Sequence, residues 1–232
     1  SAYSGAWLAD ALSQLGRSAE ALKRLAAAAE ALPDAPEVHL ERGIALHELC
    51  RWDDAREALL RAESLDAGDP WIQHHLGLVA ERRGDPREAR RRLDRARKLD
   101  PEAFPAPIAL SPEVFDEVVE EAFARLPEKV RRYLENVAIT VEDLPSEDDL
   151  RASDPPLSPS VLGMFRGPAY GRGGAVDPWT HLPSSIVLYQ RNLERFARSR
   201  DELAEEIGVT LVHEVGHFLG LDEDELYERG LD

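Results

Sequence analysis

Glu48-Leu49-Cys50-Arg51-Trp52-Asp53-Asp54-Ala55-Arg56 and Arg82-Arg83-Gly84-Asp85-Pro86-Arg87-Glu88-Ala89-Arg90 stand 34 residues apart and share one plan. Each reads as the end of a helix, a tight polar turn and the start of a second helix; Gln14 to Leu22 is a third copy upstream. Working outward, Ala21, Ala55 and Ala89 fall in the same register, as do Leu25, Leu59 and Leu93, then Ala28, Ala62 and Ala96. Gly43 and Gly77 form another such pair. Small residues belong where two antiparallel helices approach closely, and the leucines fill the gaps between hairpins. A single hairpin cannot bury its apolar face alone, so three are expected to stack into a short solenoid. Pro33 and Pro101 stop the second helices of their repeats, and Ala67-Gly68-Asp69-Pro70 does so in the middle copy. Cys50 replaces the glycine of the other copies and reads as a small packing residue.

This 34-residue spacing resembles the tetratricopeptide repeat family over about residues 2–103. The large aromatic positions are partly kept, with Trp7 and Trp71 near repeat starts and Ala9 in place of the usual glycine. The resemblance implies that a peptide or protein partner binds in a concave groove, and it implies no chemistry.

Pro101-Glu102-Ala103-Phe104-Pro105-Ala106-Pro107 ends the repeats, which sets a repeat domain at 1–104 and a second domain at 108–232. Ser111-Pro112-Glu113 reads as a helix start, with Ser as N-cap and Pro at the first position. A second helical stretch follows at about Pro127 to Leu134. Val137–Val141, Val161–Arg166 and Ser185–Gln190 are strand candidates. Pro145–Pro159 reads as an acidic, proline-rich loop, and Gly167–Thr180 as a long loop of the functional or mobile kind. A helix over Leu193–Arg198 and a longer one from about Asp201 complete a compact α+β domain with a small sheet. The fold class is thus an all-α solenoid followed by an α+β domain.

Charge narrows the partners. The 232 residues carry a net −17, of which residues 1–104 contribute −3 and residues 105–232 contribute −14. An acidic second half repels phosphates, so no nucleic-acid partner is expected. The basic stretch Arg87–Lys98 reads as a solvated helix face or as a docking surface for something acidic. No apolar run is long enough for a membrane span, and Ser1–Trp7 lacks the features of a signal peptide. A lone cysteine excludes an internal disulfide and fits a reducing compartment, so a cytoplasmic location is expected.

Near its C-terminal end the second domain carries His213-Glu214-Val215-Gly216-His217. Two histidines four apart on a helix sit on one side, one turn above the other, where both can reach one zinc ion. Glu214 beside the pair is placed to act as general base on a water at the open coordination position. Leu203, Ile207, Leu211, Val215 and Phe218 give the helix an apolar stripe, and Gly220 can end it. The chain then enters Leu221-Asp222-Glu223-Asp224, where Glu223 has the spacing of a third ligand and Asp224 and Asp222 are its rivals.

Residues 110–232 resemble the minimal zincin-like metallopeptidases, small bacterial proteins. The likeness rests on Asn136–Ile139, Ile186–Tyr189, Asp201–Glu206 and His213–Leu221 with the acidic cluster after it. It implies one catalytic zinc, His213 and His217 as ligands, Glu214 as general base, the acidic turn as third ligand and a peptide or protein substrate. It also suggests the strand around Ile186, Leu188 and Tyr189 as the edge that pairs with substrate, and Gly167–Thr180 as a cover for the cleft. Metzincins differ: they carry a third histidine where this chain has Glu223, and a methionine turn, whereas the sole methionine here is Met164 upstream. The alternative expectation is a metal-free pseudo-protease in which the repeats act as a scaffold.

Overall fold

A computed structural model describes residues 18–135, 137–167 and 184–219. In chain order the described helices are α1 (Ser18–Ala31), α2 (Pro36–Glu48), α3 (Trp52–Leu65), α4 (Pro70–Arg82), α5 (Pro86–Leu99), α6 (Pro112–Arg125), α7 (Glu128–Leu134), α8 (Glu147–Leu150), α9 (Gln190–Phe196) and α10 (Arg200–Phe218). The strands are β1 (Ala138–Glu142), β2 (Gly163–Arg166) and β3 (Ser185–Tyr189). Two compact units result. Of the described residues, one holds those up to Ala106 together with Ser146–Pro159, and the other holds Pro107–Pro145 and those from Ser160 onward.

The repeat unit follows from its turns. Asp69 accepts the Trp71 and Ile72 N–H groups at the start of α4, and Asp85 accepts the Glu88 N–H at the start of α5. Each aspartate thereby satisfies a donor the helix cannot, and the proline that follows it needs none. Gly84 has φ +74° and Cys50 has φ +57°, so the position shared by these copies is one that must adopt a left-handed backbone. Cys50 is fully buried, which offsets the strain of that φ with packing. At Gly43 a Cβ would lie 2.5 Å from Leu59 Cγ, and at Gly77 it would lie 2.7 Å from Leu93 Cγ. These are the close helix crossings that the small residues permit. Leu25, Ala55, Leu59 and Ala62 are fully buried, as their shared register requires.

The sequence reading placed Ser146–Pro159 as a loop within the second domain. It carries the short helix α8 and falls in the same compact unit as the repeats. Leu150 is buried there at 1 % exposure. The Arg151 guanidinium donates to the Cys50 carbonyl at 2.6 Å, and the Arg82 guanidinium donates to the Pro159 carbonyl at 2.6 Å. A buried leucine and two satisfied carbonyls hold the segment in place, and none of these leaves a trace in local composition.

The second unit is built on a three-stranded sheet in the order β1-β3-β2, with β1 parallel and β2 antiparallel to β3. Ser111 caps α6 by accepting the Val114 N–H. On α10, Leu203, Ile207 and Leu211 are fully buried and Val215 nearly so, packed in one core with Phe115, Ile186 and Leu188. Glu194 of α9, 8 % exposed, accepts the Leu110 N–H and the Gln190 side-chain amide, both at 2.9 Å. This buried carboxylate fixes the chain where it enters the unit.

The substrate-pairing role expected of Ile186, Leu188 and Tyr189 does not survive. β3 is the central strand, hydrogen-bonded on both sides, and these side chains are fully buried. A strand with no open edge has no backbone groups to offer a peptide.

Candidate active site

The site is set by the way β2 lies along α10. On a helix, positions 210 and 214 are one turn apart on one face, about 6 Å along the axis. On a strand, positions 163 and 165 face the same way, about 6.7 Å apart. The two spacings match, and the structure uses the match. A Cβ on Gly163 would fall 2.6 Å from Thr210 Cγ2. One step further along both elements, the Phe165 N–H donates to Glu214 Oε2 at 2.7 Å.

This contact is made by the outer edge of β2. The Tyr189 N–H of β3 donates to the Leu162 carbonyl at 2.9 Å, so backbone groups of the alternate residues Gly163 and Phe165 point away from β3. Gly163 lets the helix approach because it has no side chain, and the approach brings the Phe165 N–H within reach of the carboxylate. Glu214 is 6 % exposed, a depth at which a carboxylate needs donors. A short N–H to carboxylate bond is charge-assisted and fixes the rotamer.

His213 is half-buried in α10 beside Glu214. His217 lies one turn further on the same helix, and its side chain is outside the described residues. Both positions fall near the C-terminal end of α10, where the helix carries partial negative charge and favours a cation. Gly220, Asp222, Glu223 and Asp224 lie outside the described residues, as do positions 168–180 of the expected cleft cover. Among the described residues no three His, Cys, Asp or Glu side chains gather to hold a metal. The part that is described fits a zinc site. Two imidazole-bearing positions stand one turn apart, and the carboxylate between them is engaged by the backbone of β2, as suits a base that is not itself a ligand.

The sequence reading singled out His213, Glu214 and His217 and did not single out Gly163, Phe165 or Thr210, which bring β2 against α10. One signal was available: a glycine inside a strand pattern marks a place where another element comes close.

Residues 134–231 match the family described as zincin-like metallopeptidase, and residues 8–70 and 75–106 match the tetratricopeptide repeat. The chain is a tetratricopeptide–zincin-like fusion. The zincin-like match takes in the sheet, α9 and α10, and the repeat match covers α1 to α5. No curated protein matches the fusion. Among solved structures, one titled "MamA MSR-1 C2" is similar at 24 % identity and TM-score 0.40, over 44 % of this chain and 59 % of that one. Another, "Crystal structure of YrrB: a TPR protein with an unusual peptide-binding site", is similar at 20 % identity and TM-score 0.41, over 44 % of this chain and 53 % of that one. The fusion thus spans little more than half the length of either. None of its described helices is long and apolar enough to cross a membrane.

Proposed function

We propose that the second unit is a zinc-dependent endopeptidase and that the repeats bring it a protein substrate or partner. The observation that carries this reading is the buried Glu214 carboxylate, fixed by the Phe165 N–H in the helical turn that also bears His213 and His217. His213 and His217 would hold the metal, with Glu223 as third ligand and Asp224 as its rival. A bound zinc ion supplies a Lewis acid that acidifies water and polarises the scissile carbonyl. Glu214 does the proton work. With Oε2 tied to Phe165, Oε1 takes the proton of the attacking water and passes it to the leaving amine. The acidic second unit favours peptide over nucleic acid as substrate, and the setting is cytoplasmic.

Metal analysis of the full chain, beside His213→Ala and Glu223→Ala, tests the ligand set without relying on turnover. Stoichiometric zinc in the wild type and its loss in both variants are expected. Full zinc in Glu223→Ala moves the third ligand to Asp224. Proteome-wide cleavage profiling of the wild type against Glu214→Gln tests the reaction. A wild-type chain that neither contains nor takes up zinc, and cuts nothing, refutes the peptidase reading and leaves the repeats as a scaffold.

A further inference from the structure

We propose that the outer edge of β1 is a second peptide site, separate from the zincin-like centre, which takes an extended basic and apolar segment of a partner protein as an added strand. β1 is the sheet edge opposite β2, with β3 between them, so the site shares no strand with Glu214. The Ala138 N–H donates to the Ser184 carbonyl at 3.2 Å. In a parallel pair that directs Ala138, Thr140 and Glu142 towards β3 and leaves the N–H and C=O groups of Ile139 and Val141 facing outward. No backbone partner for them occurs among the described residues. The strand reads Ala-Ile-Thr-Val-Glu, with neither the proline nor the lysine by which exposed edges are commonly blunted.

The edge opens onto a groove of about 920 Å³ whose other wall is α6. Val119, Phe123, Leu134 and Val137 supply apolar surface along it. Asp116, Glu120 and Glu135 line the same groove and are exposed. Two further acids there are already answered, Glu142 by Arg166 and Asp143 by Arg191. Asp116, Glu120 and Glu135 have no ion-pair partner among the described residues. A strand that bonds to Ile139 and Val141 turns alternate side chains to each face. Lys or Arg on the face turned to the groove would lay their alkyl stems along its apolar surface and bring their charges to the three unanswered carboxylates. Charge therefore selects the occupant: a basic segment gains where an acidic one is repelled.

The test uses full-length Glu214→Gln protein, so that a peptide can bind without being cut and the result does not depend on catalysis. The probe is a fluorescein-labelled decapeptide of alternating Lys and Val, read by anisotropy. Three controls accompany it: the Glu and Val counterpart, and two Lys and Val peptides N-methylated at one or the other set of alternate residues. Saturable binding of the Lys and Val peptide is expected, with loss in one methylation pattern and in the acidic counterpart. The triple variant Asp116→Lys, Glu120→Lys, Glu135→Lys should weaken it by about tenfold or more while leaving the circular dichroism spectrum unchanged. Amide exchange supplies an independent readout, since Ile139 and Val141 should become protected only when peptide is added. No binding overturns the proposal, and so does binding indifferent to both methylation patterns. Protection of both amides before peptide is added also overturns it, because the edge is then already covered by the chain itself or by a second copy.

Discussion

Gly163→Ala probes the contact on which the candidate site depends. The added Cβ would stand 2.6 Å from Thr210 Cγ2 and 3.2 Å from the Val187 carbonyl oxygen of β3. Carbon atoms pack at about 3.5–4.0 Å, so one neighbour must give by about 1 Å. Thr210 is poorly able to do so, since a β-branched side chain on a helix has few rotamers and this one is buried. The Val187 carbonyl blocks movement the other way. β2 must therefore lift from α10, which stretches the 2.7 Å bond from Phe165 to Glu214 past about 3.2 Å, where such bonds fade. Overpacking of this kind costs about 1–3 kcal/mol in stability. A misplacement of about 1 Å in a catalytic group costs about 100-fold in rate. Urea unfolding should show the first, and kcat/KM on a peptide substrate should show the second. Thr210→Ser removes Cγ2 and keeps the hydroxyl, so the double variant should recover most of both losses. A Gly163→Ala protein with wild-type stability and wild-type kcat/KM would refute the argument, as would a double variant no better than the single one.

Glu214→Gln keeps the shape and the acceptor for Phe165 but cannot take a proton, so kcat should fall by about 100- to 10,000-fold with zinc content unchanged in metal analysis. Gly84→Ala should destabilise the repeat unit by about 1 kcal/mol through its left-handed φ alone, because no atom lies within 4 Å of the new Cβ; urea midpoints will measure it. For the ion network of α5, burial by itself would raise the Glu63 and Glu88 carboxyls, but hydrogen bonds and charge from Arg92 outweigh it and hold both below the ordinary range. Groups lowered on folding stabilise at pH above their unfolded value, about 4.3, and lose that contribution as pH falls through the folded value. Arg92→Met should therefore flatten the acid limb of a plot of Tm against pH, below about pH 5, and an unchanged acid limb would count against the pairing.

The repeats were the most legible part of the chain, and the reason is physical. Their packing is set between neighbours at a fixed sequence distance, so Gly43 against Leu59 and Gly77 against Leu93 appear as a period in the sequence itself. The left-handed turn is legible at Gly84 and hidden at Cys50, because the burial of the thiol has replaced the glycine that would have marked it. Strands and helices of the second unit were readable from local pattern. Strand order was not, since Val137–Val141 and Ser185–Gln190 are both apolar and only burial on both faces separates the central strand from the edge. The contacts of Ser146–Pro159 were hidden for a related reason. Its partners, Cys50 and Arg82, are distant in sequence, and long-range pairing leaves no local period to detect.

The candidate site divides along the same line. His213, Glu214 and His217 lie within one helix, where a four-residue spacing already states that the positions share a face. What holds Glu214 is on another element, 49 residues away, and depends on a coincidence of two geometries. Four residues of helix rise about 6 Å and two residues of strand about 6.7 Å, so Gly163 and Phe165 can face Thr210 and Glu214 in step. The coincidence persists for one step only: over the next turn the mismatch grows, and β2 itself ends at Arg166. A short strand is therefore sufficient for this task. It also follows that lengthening β2 would not strengthen the grip on Glu214, whereas any side chain at position 163 would break it.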